Sequence, residues 1–367
     1  MNNIASRTQS LPGEKLQTEV KSSWITAHVQ AVRCVISMGK LRANTILWLI
    51  LSILVTLSVY PMLKTVLISI SSASVPGSIF GAGTGDGTTK SAEPRRNIII
   101  IRTSTEPLEY FELCNLYAAA VKNPSFNVIL FSFRTFEFPQ YLRELANVES
   151  KVLNFSKTFY QTPLQKWYQS GIWNVTKFVQ RVRYLCDAAR HAYLYKYGGI
   201  YFDTDIICLR SLYNITNSIA HQNANELNGA FLTMNKGHPM MRIALQIEAD
   251  TFRPGVGEIE YGPRLLTKAY KQFEKEKAQH PEWPVVNKLP IALIYPFTYF
   301  GAERMLLPVG SSPQEEARVR EALVLHLWRN KMRSIRNNPS VTARKGSILY
   351  HLAYEHCPPV ANAWMNA

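Results

Sequence analysis

Acidic residues are scarce in this chain: 26 Asp and Glu stand against 41 Lys and Arg, for a formal net charge of +15. An excess of that sign suits nucleic acid, an anionic membrane surface or phosphorylated substrates. Further absences narrow the choice. There is no dense Lys/Arg run with interleaved aromatics, which argues against nucleic acid as a partner. There is no internal repeat and no dinucleotide-binding loop. Gly81, Gly83, Gly85 and Gly87 follow no strand, and the Asp at position 86 breaks the G-x-G-x-x-G spacing. Cysteine is sparse, with five in 367 residues. Only one long uncharged run exists, which excludes a multi-pass membrane protein.

That run, "ANTILWLILSILVTLSVYPML" at 43–63, carries no charge. At helical rise it spans about 30 Å, the thickness of a bilayer core. It starts too far into the chain, and runs too long, for a cleaved signal peptide. Arg33, Lys40 and Arg42 precede it and only Lys64 follows closely. The expected topology is therefore a cytosolic tail at 1–42, a transmembrane anchor at 43–63 and a large domain on the far side. Residues 71–94 are rich in Ser, Gly and Thr with little apolar periodicity, so 64–94 reads as a flexible stem. Asn154, Asn174 and Asn214 head glycosylation triplets that fit a lumenal domain. Cys34 falls on the cytosolic side, and Cys114, Cys186, Cys208 and Cys357 allow three pairings in an oxidising compartment. Cys208, inside an apolar run, also suits a buried thiol.

Beyond the stem, 47% hydrophobic content supports a sizeable core and excludes wholesale disorder. "NIIIIRTS" at 97–104 is a continuous apolar run suited to a central parallel strand. "YFELCNLYAAAVKN" at 110–123 has helical spacing, and "NVILFSF" at 127–133 is a second buried strand. Strand, helix, strand is a βαβ unit, so the expected fold class is α/β, in one domain at 95–367. Helical pieces are expected at 162–170 and 175–199, the latter ended by Gly198. Helices are also expected at 240–250 and 263–276, with further elements at 229–234, 292–300 and 322–328.

"YFDTDIICL" at 201–209 reads as a third strand interrupted by two carboxylates. On a strand, Asp203 and Asp205 point to the same face and Thr204 to the other. Neighbouring carboxylates repel unless a cation joins them. Oxygen ligands favour Mn²⁺ or Mg²⁺, and open positions on such an ion suit a diphosphate. In an α/β sheet that site belongs at the carboxyl ends of the strands. The plainer alternative is two aspartates capping a turn at a strand end. Asp187, Arg190 and His191 share one face of the preceding helix and add polar groups; without a site, Asp187–Arg190 is only a surface ion pair.

The stretch "CDAARHAYLYKYGGIYFDTDIICLRSL" at 186–212 resembles the central motif of the α-1,4-glycosyltransferases, a family that includes the globotriaosylceramide synthases and is related to glycosyltransferase family 32. "TPLQKWY" (162–168), "LNGAFLTM" (227–234), "GPRLLT" (262–267), "LHLW" (325–328) and "YEHCP" (354–358) resemble its other segments. The resemblance implies a GT-A fold in a single-pass type II Golgi membrane protein with a lumenal catalytic domain. It implies metal-dependent, retaining transfer of galactose or N-acetylgalactosamine from a UDP-sugar to a glycosphingolipid. A glycoprotein acceptor, or a non-catalytic sugar-nucleotide module, is the alternative. It further implies that Asp205 and Asp203 bind the metal, joined by His326. Asp187 and Arg190 would hold donor-sugar hydroxyls, Gly198 and Gly199 would admit the nucleotide, and Tyr201 would lie near the donor. Thr103, in the loop from Arg102 to Ser104, would lie near uridine, and Asn228 and His191 near the sugar. This chain departs from the pattern at Arg329, which separates Trp328 from Asn330, at Cys186, where relatives carry Ser, and at Tyr261. A retaining glycosidase is disfavoured, because its two carboxylates must flank a sugar rather than adjoin one another.

Overall fold

The computed structural model describes residues 95–175, 177–257, 259–329, 331 and 345–365. The expected tail, membrane span and stem lie outside these residues, as does Asn330. Among the described residues no helix is long and apolar enough to cross a membrane.

The run of isoleucines forms β1 (Asn97–Ile101), and the helical spacing after it forms α1 (Tyr110–Lys122). Strand β2 (Asn127–Ser132) pairs parallel with β1 and completes the βαβ unit. Strand β3 (Val148–Val152) lies parallel beyond it, at the sheet edge. The long helix α2 (Phe178–Tyr197) leads into β4 (Gly199–Phe202), parallel to β1 on its other side.

Here the chain departs from the expected continuous strand. Residues 203–205 form a turn, and β5 (Ile206–Cys208) leaves the main sheet. It pairs instead with β9 (Val324–His326) in a small antiparallel sheet, Ile206 opposite His326. Strands β6 (Ser218–His221), β7 (Leu227–Met234) and β8 (Asn287–Leu289) extend the main sheet, and β7 lies antiparallel to β4. The order is β3-β2-β1-β4-β7-β6-β8, a mixed α/β sheet with a parallel block at one side. Helices α3 (Pro239–Thr251), α4 (Leu265–Lys277), α5 (Ile348–His356) and α6 (Pro358–Met365) follow in chain order around it. The segment 292–300 holds no strand: Ile291–Ile294 is a short helix and Tyr299–Leu306 a 3₁₀ helix.

Alternation along β1 divides the core. Ile98 and Ile100 pack with Leu113, Leu116 and Ala119 of α1, whereas Ile99 and Ile101 pack with Leu185, Ala188 and Ala192 of α2. A strand covered on both faces must be apolar throughout, which is why these four isoleucines stand in a row. The disulfide joins Cys114 of α1 to Cys357 after α5, resolving the three possible pairings. Cys186 and Cys208 are buried thiols, and burial is the main cause that pushes each up to about 12. Asn154, Asn174 and Asn214 are all exposed.

Candidate metal and donor site

The turn after β4 sits at the carboxyl end of the parallel block. The Asp203 amide donates to Ala230 O (2.9 Å) on β7, and Asn115 of α1 donates from Nδ2 to Asp203 O (2.9 Å). Strand alternation therefore does not aim the two aspartates; the turn does. Their convergence survives: ligand atoms of Asp203, Asp205 and His326 all lie within 4.8 Å of one another.

Asp205 is buried, with Oδ1 3.4 Å from His326 Nε2, while Oδ2 accepts from the Arg329 amide at 2.8 Å. Its backbone carbonyl accepts from the Leu327 amide at 2.9 Å. The chain passes from His326 to Arg329 through Trp328 in the left-handed region, φ 52°. A non-glycine residue held there costs about 1–3 kcal/mol, and such strain clusters at functional sites. The Trp328 indole donates to Phe297 O (2.7 Å) and lies edge-on to the His326 ring. Burial works against charge on Asp205, but His326 and the hydrogen bonds from His326 and Arg329 hold its carboxyl below the usual range. Burial likewise disfavours a charged His326, yet Asp205 and then Asp203 raise it above an ordinary imidazole. Two carboxylates and an imidazole suit a hard to borderline divalent cation such as Mn²⁺.

Asp203 is less buried and is gripped by the side chains behind it. Tyr201 donates to its Oδ1 at 2.7 Å, and Arg190 Nη1 lies 3.1 Å from the same atom. Arg190 also pairs with Asp187, donates to Gly229 O (3.1 Å) and lies over the Tyr201 ring at 4.6 Å. The Asp187–Arg190 pair is thus part of an inner network rather than a surface ion pair. His191, on the same helix face, is fully buried 3.5 Å from Glu248 of α3 and does not reach the site opening.

Other expected residues take different places. Gly198 and Gly199 lie at the amino end of β4, the far end from Asp203. A Cβ at Gly198 would come 2.6 Å from Lys236 N, and one at Gly199 2.5 Å from Asn97 O. Both have positive φ, 68° and 112°. Protein backbone, not a nucleotide, occupies the space their missing side chains leave. Asn228 is engaged at both ends, accepting from the Ala230 amide and donating to Gln222 (2.7 Å each). Thr103 is exposed beside Arg102, whose buried guanidinium pairs with Glu112 (2.9 Å) and donates to Glu106 O and Pro107 O. Arg102 therefore shapes the loop after β1. Tyr261 hydrogen-bonds around Arg253 and stacks on Phe252.

Tyr295, Asn115 and the Arg329 amide belong to this site but carried no sequence signal of their own. The only hint was Tyr295 in the apolar run before Pro296. Burial, then the charges of Asp203 and Asp205, push the Tyr295 hydroxyl well above its ordinary value.

Residues 111–225 match the family model described as a glycosyltransferase sugar-binding region containing the DXD motif. Residues 233–364 match the alpha 1,4-glycosyltransferase conserved region. In class, the chain is a glycosyltransferase of the D-x-D type. It is 31% identical over 222 residues to a lactosylceramide 4-alpha-galactosyltransferase of Pongo pygmaeus, covering 59% of this chain and 97% of that protein. The Homo sapiens protein of that name is 28% identical over 283 residues, covering 73% and 77%. A human alpha-1,4-N-acetylglucosaminyltransferase is 24% identical over 282 residues, covering 72% and 79%. A solved structure, the PaToxG glycosyltransferase, aligns with a TM-score of 0.38 at 17% identity over 51% of this chain and 73% of that one, too loosely to bear weight. The chain belongs to the α-1,4-glycosyltransferase family.

Proposed function

We propose that this protein is a metal-dependent, retaining glycosyltransferase that moves galactose, or N-acetylgalactosamine, from a UDP-sugar to a terminal sugar of a glycosphingolipid through an α-1,4 linkage. One observation carries the reading: Asp203, Asp205 and His326 present ligand atoms within 4.8 Å of one another at the carboxyl end of the parallel strands. The similarity to lactosylceramide galactosyltransferases favours galactose and a lipid acceptor.

Asp203, Asp205 and His326 would hold the cation, Mn²⁺ or Mg²⁺. When bound, it neutralises charge on the departing diphosphate. The protein's own part is to keep that site rigid. Arg190 and Tyr201 fix the Asp203 carboxylate, and the Arg329 amide fixes that of Asp205. Such preorganised charge needs no rearrangement as the sugar–phosphate bond breaks. Asp187, paired with Arg190, would hold a sugar hydroxyl. Neither Asn228, with both amide atoms engaged, nor the buried His191 stands open as a nucleophile. The acceptor hydroxyl then attacks on the face the diphosphate leaves and gives its proton to a diphosphate oxygen. The uncharged run at 43–63 supports a Golgi type II anchor that brings the domain to lipid-borne acceptors.

The test offers full-length protein in detergent, with Mn²⁺, UDP-galactose and UDP-N-acetylgalactosamine against glycolipid head groups and glycoprotein glycans, with linkage analysis of the product. An α-1,4 product abolished by EDTA supports the proposal. Transfer that survives EDTA, or product only on glycoprotein, refutes the metal or the lipid part respectively. Bound UDP without any transfer points instead to a non-catalytic module.

A further inference from the structure

The Tyr295 hydroxyl has no hydrogen-bond partner among the described residues, although the residue is only 1% exposed. Buried hydroxyls are nearly always partnered, because an unpartnered one is left without the water it gave up. A phenylalanine here would avoid that loss. The ring does not swing freely either. It lies edge-on to His326 with centroids 5.6 Å apart and is tilted on Trp328 at 5.1 Å. These contacts place it in the wall of the Asp203–Asp205–His326 cluster, and the charges of both aspartates act on its hydroxyl. His326 Nδ1, in the same wall, also has no partner among the described residues.

We propose that Tyr295 is a positioning residue whose hydroxyl donates to an oxygen in the shell of the cation held by Asp203, Asp205 and His326. That oxygen comes from a bound water or from the donor's diphosphate. The inference rests on the metal reading above for the identity of its ligand. A buried donor with no partner among the described residues gains one from an oxygen of the bound cation's shell, so its full value appears in the bound state.

Tyr295→Phe removes one oxygen and keeps the ring contacts, so the variant is expected to fold. Three measurements decide the matter: the thermal midpoint of the metal-free protein, Mn²⁺ affinity alone, and UDP affinity with Mn²⁺ present. The midpoint is expected to stay level or rise, while ligand affinity falls about tenfold. A loss seen with Mn²⁺ alone assigns the oxygen to water; a loss seen only with UDP assigns it to the diphosphate. Wild-type affinities in Tyr295→Phe overturn this inference and leave the metal reading standing. A lower midpoint with unchanged affinities overturns it too, by showing a purely structural hydroxyl. If wild-type protein binds neither Mn²⁺ nor UDP, both readings fall together.

Discussion

Two histidine–carboxylate pairs lie in this domain at nearly the same separation, and their titrations are shifted in opposite senses. His326 lies 3.4 Å from Asp205, and His191 lies 3.5 Å from Glu248. All four residues are buried. Yet His326 is raised and Asp205 lowered, so the surroundings favour the charged form of both. His191 is depressed to about 3, by burial and then by Arg190; Glu248 is raised well above its range, by burial and then by Asp187. Both shifts favour the neutral form. The difference lies in the surroundings. Asp205 accepts the Arg329 amide, and Asp203 adds a second negative charge near His326. Among the described residues Glu248 accepts no hydrogen bond at either oxygen, and the cation near His191 opposes its protonation. Distance alone does not make an ion pair; burial must be offset by donors to the charged form.

The sharpest way to break this comparison is through activity. Asp205→Ala is expected to lower UDP-sugar transfer in Mn²⁺ at least 10³-fold, about 4 kcal/mol of barrier, with the far-ultraviolet circular dichroism of the wild type. Glu248→Gln should stay within a few-fold of wild type in the same assay. Equal losses would mean that the sealed pair is part of the machinery.

The frame both pairs share comes next. Gly199→Ala puts a Cβ 2.5 Å from Asn97 O at φ 112°, between β4 and β1. It should cost about 2–4 kcal/mol in urea unfolding; a neutral result would show that the strand shifts easily.

A smaller effect tests the opposite signs. Folded Glu248 keeps a proton that the unfolded chain releases above its ordinary value of 4.5, so this group's contribution falls as pH rises through that window. Glu248→Gln removes the penalty and should raise the thermal midpoint at pH 7–8 by about 2–4 °C, with no gain near pH 4. Asp205 runs the other way: its folded value lies below the ordinary 3.8, so its contribution is present above that pH and lost as pH falls. In metal-free protein Asp205→Asn should therefore lower the midpoint at pH 7, and the difference should close toward acid.

The finest probe is histidine titration by NMR in metal-free protein. His326 should titrate above the ordinary 6.5 and His191 only near 3. Matching curves would erase the contrast.

Much of this was readable in advance where the signal is local. β1, α1, β2 and α2 announce themselves by runs and periodicity within a few turns of chain, and Gly198 ends α2 at φ 68° as expected. β3, "VESKV", was not visible, because an edge strand with polar residues looks like a loop. β6 and β8 were too short to stand out. Asp203, Asp205 and His326 were legible as candidates through the motif, but the reason given for their convergence was a strand that the chain breaks at residue 203.

By itself the sequence determined the sheet's apolar centre, the helices that cover it and which residues stand as candidates for the chemistry, because side-chain character and spacing act over short range. Tertiary structure alone decided which distant parts meet. β9 pairs with β5 across 120 positions of chain between His326 and its partner Ile206, just as Cys114 reaches Cys357 across 243. It also decided in which of two similar histidine–carboxylate pairs the charged forms are favoured. Both outcomes depend on donors and neighbours brought together only by folding, and no local pattern records them.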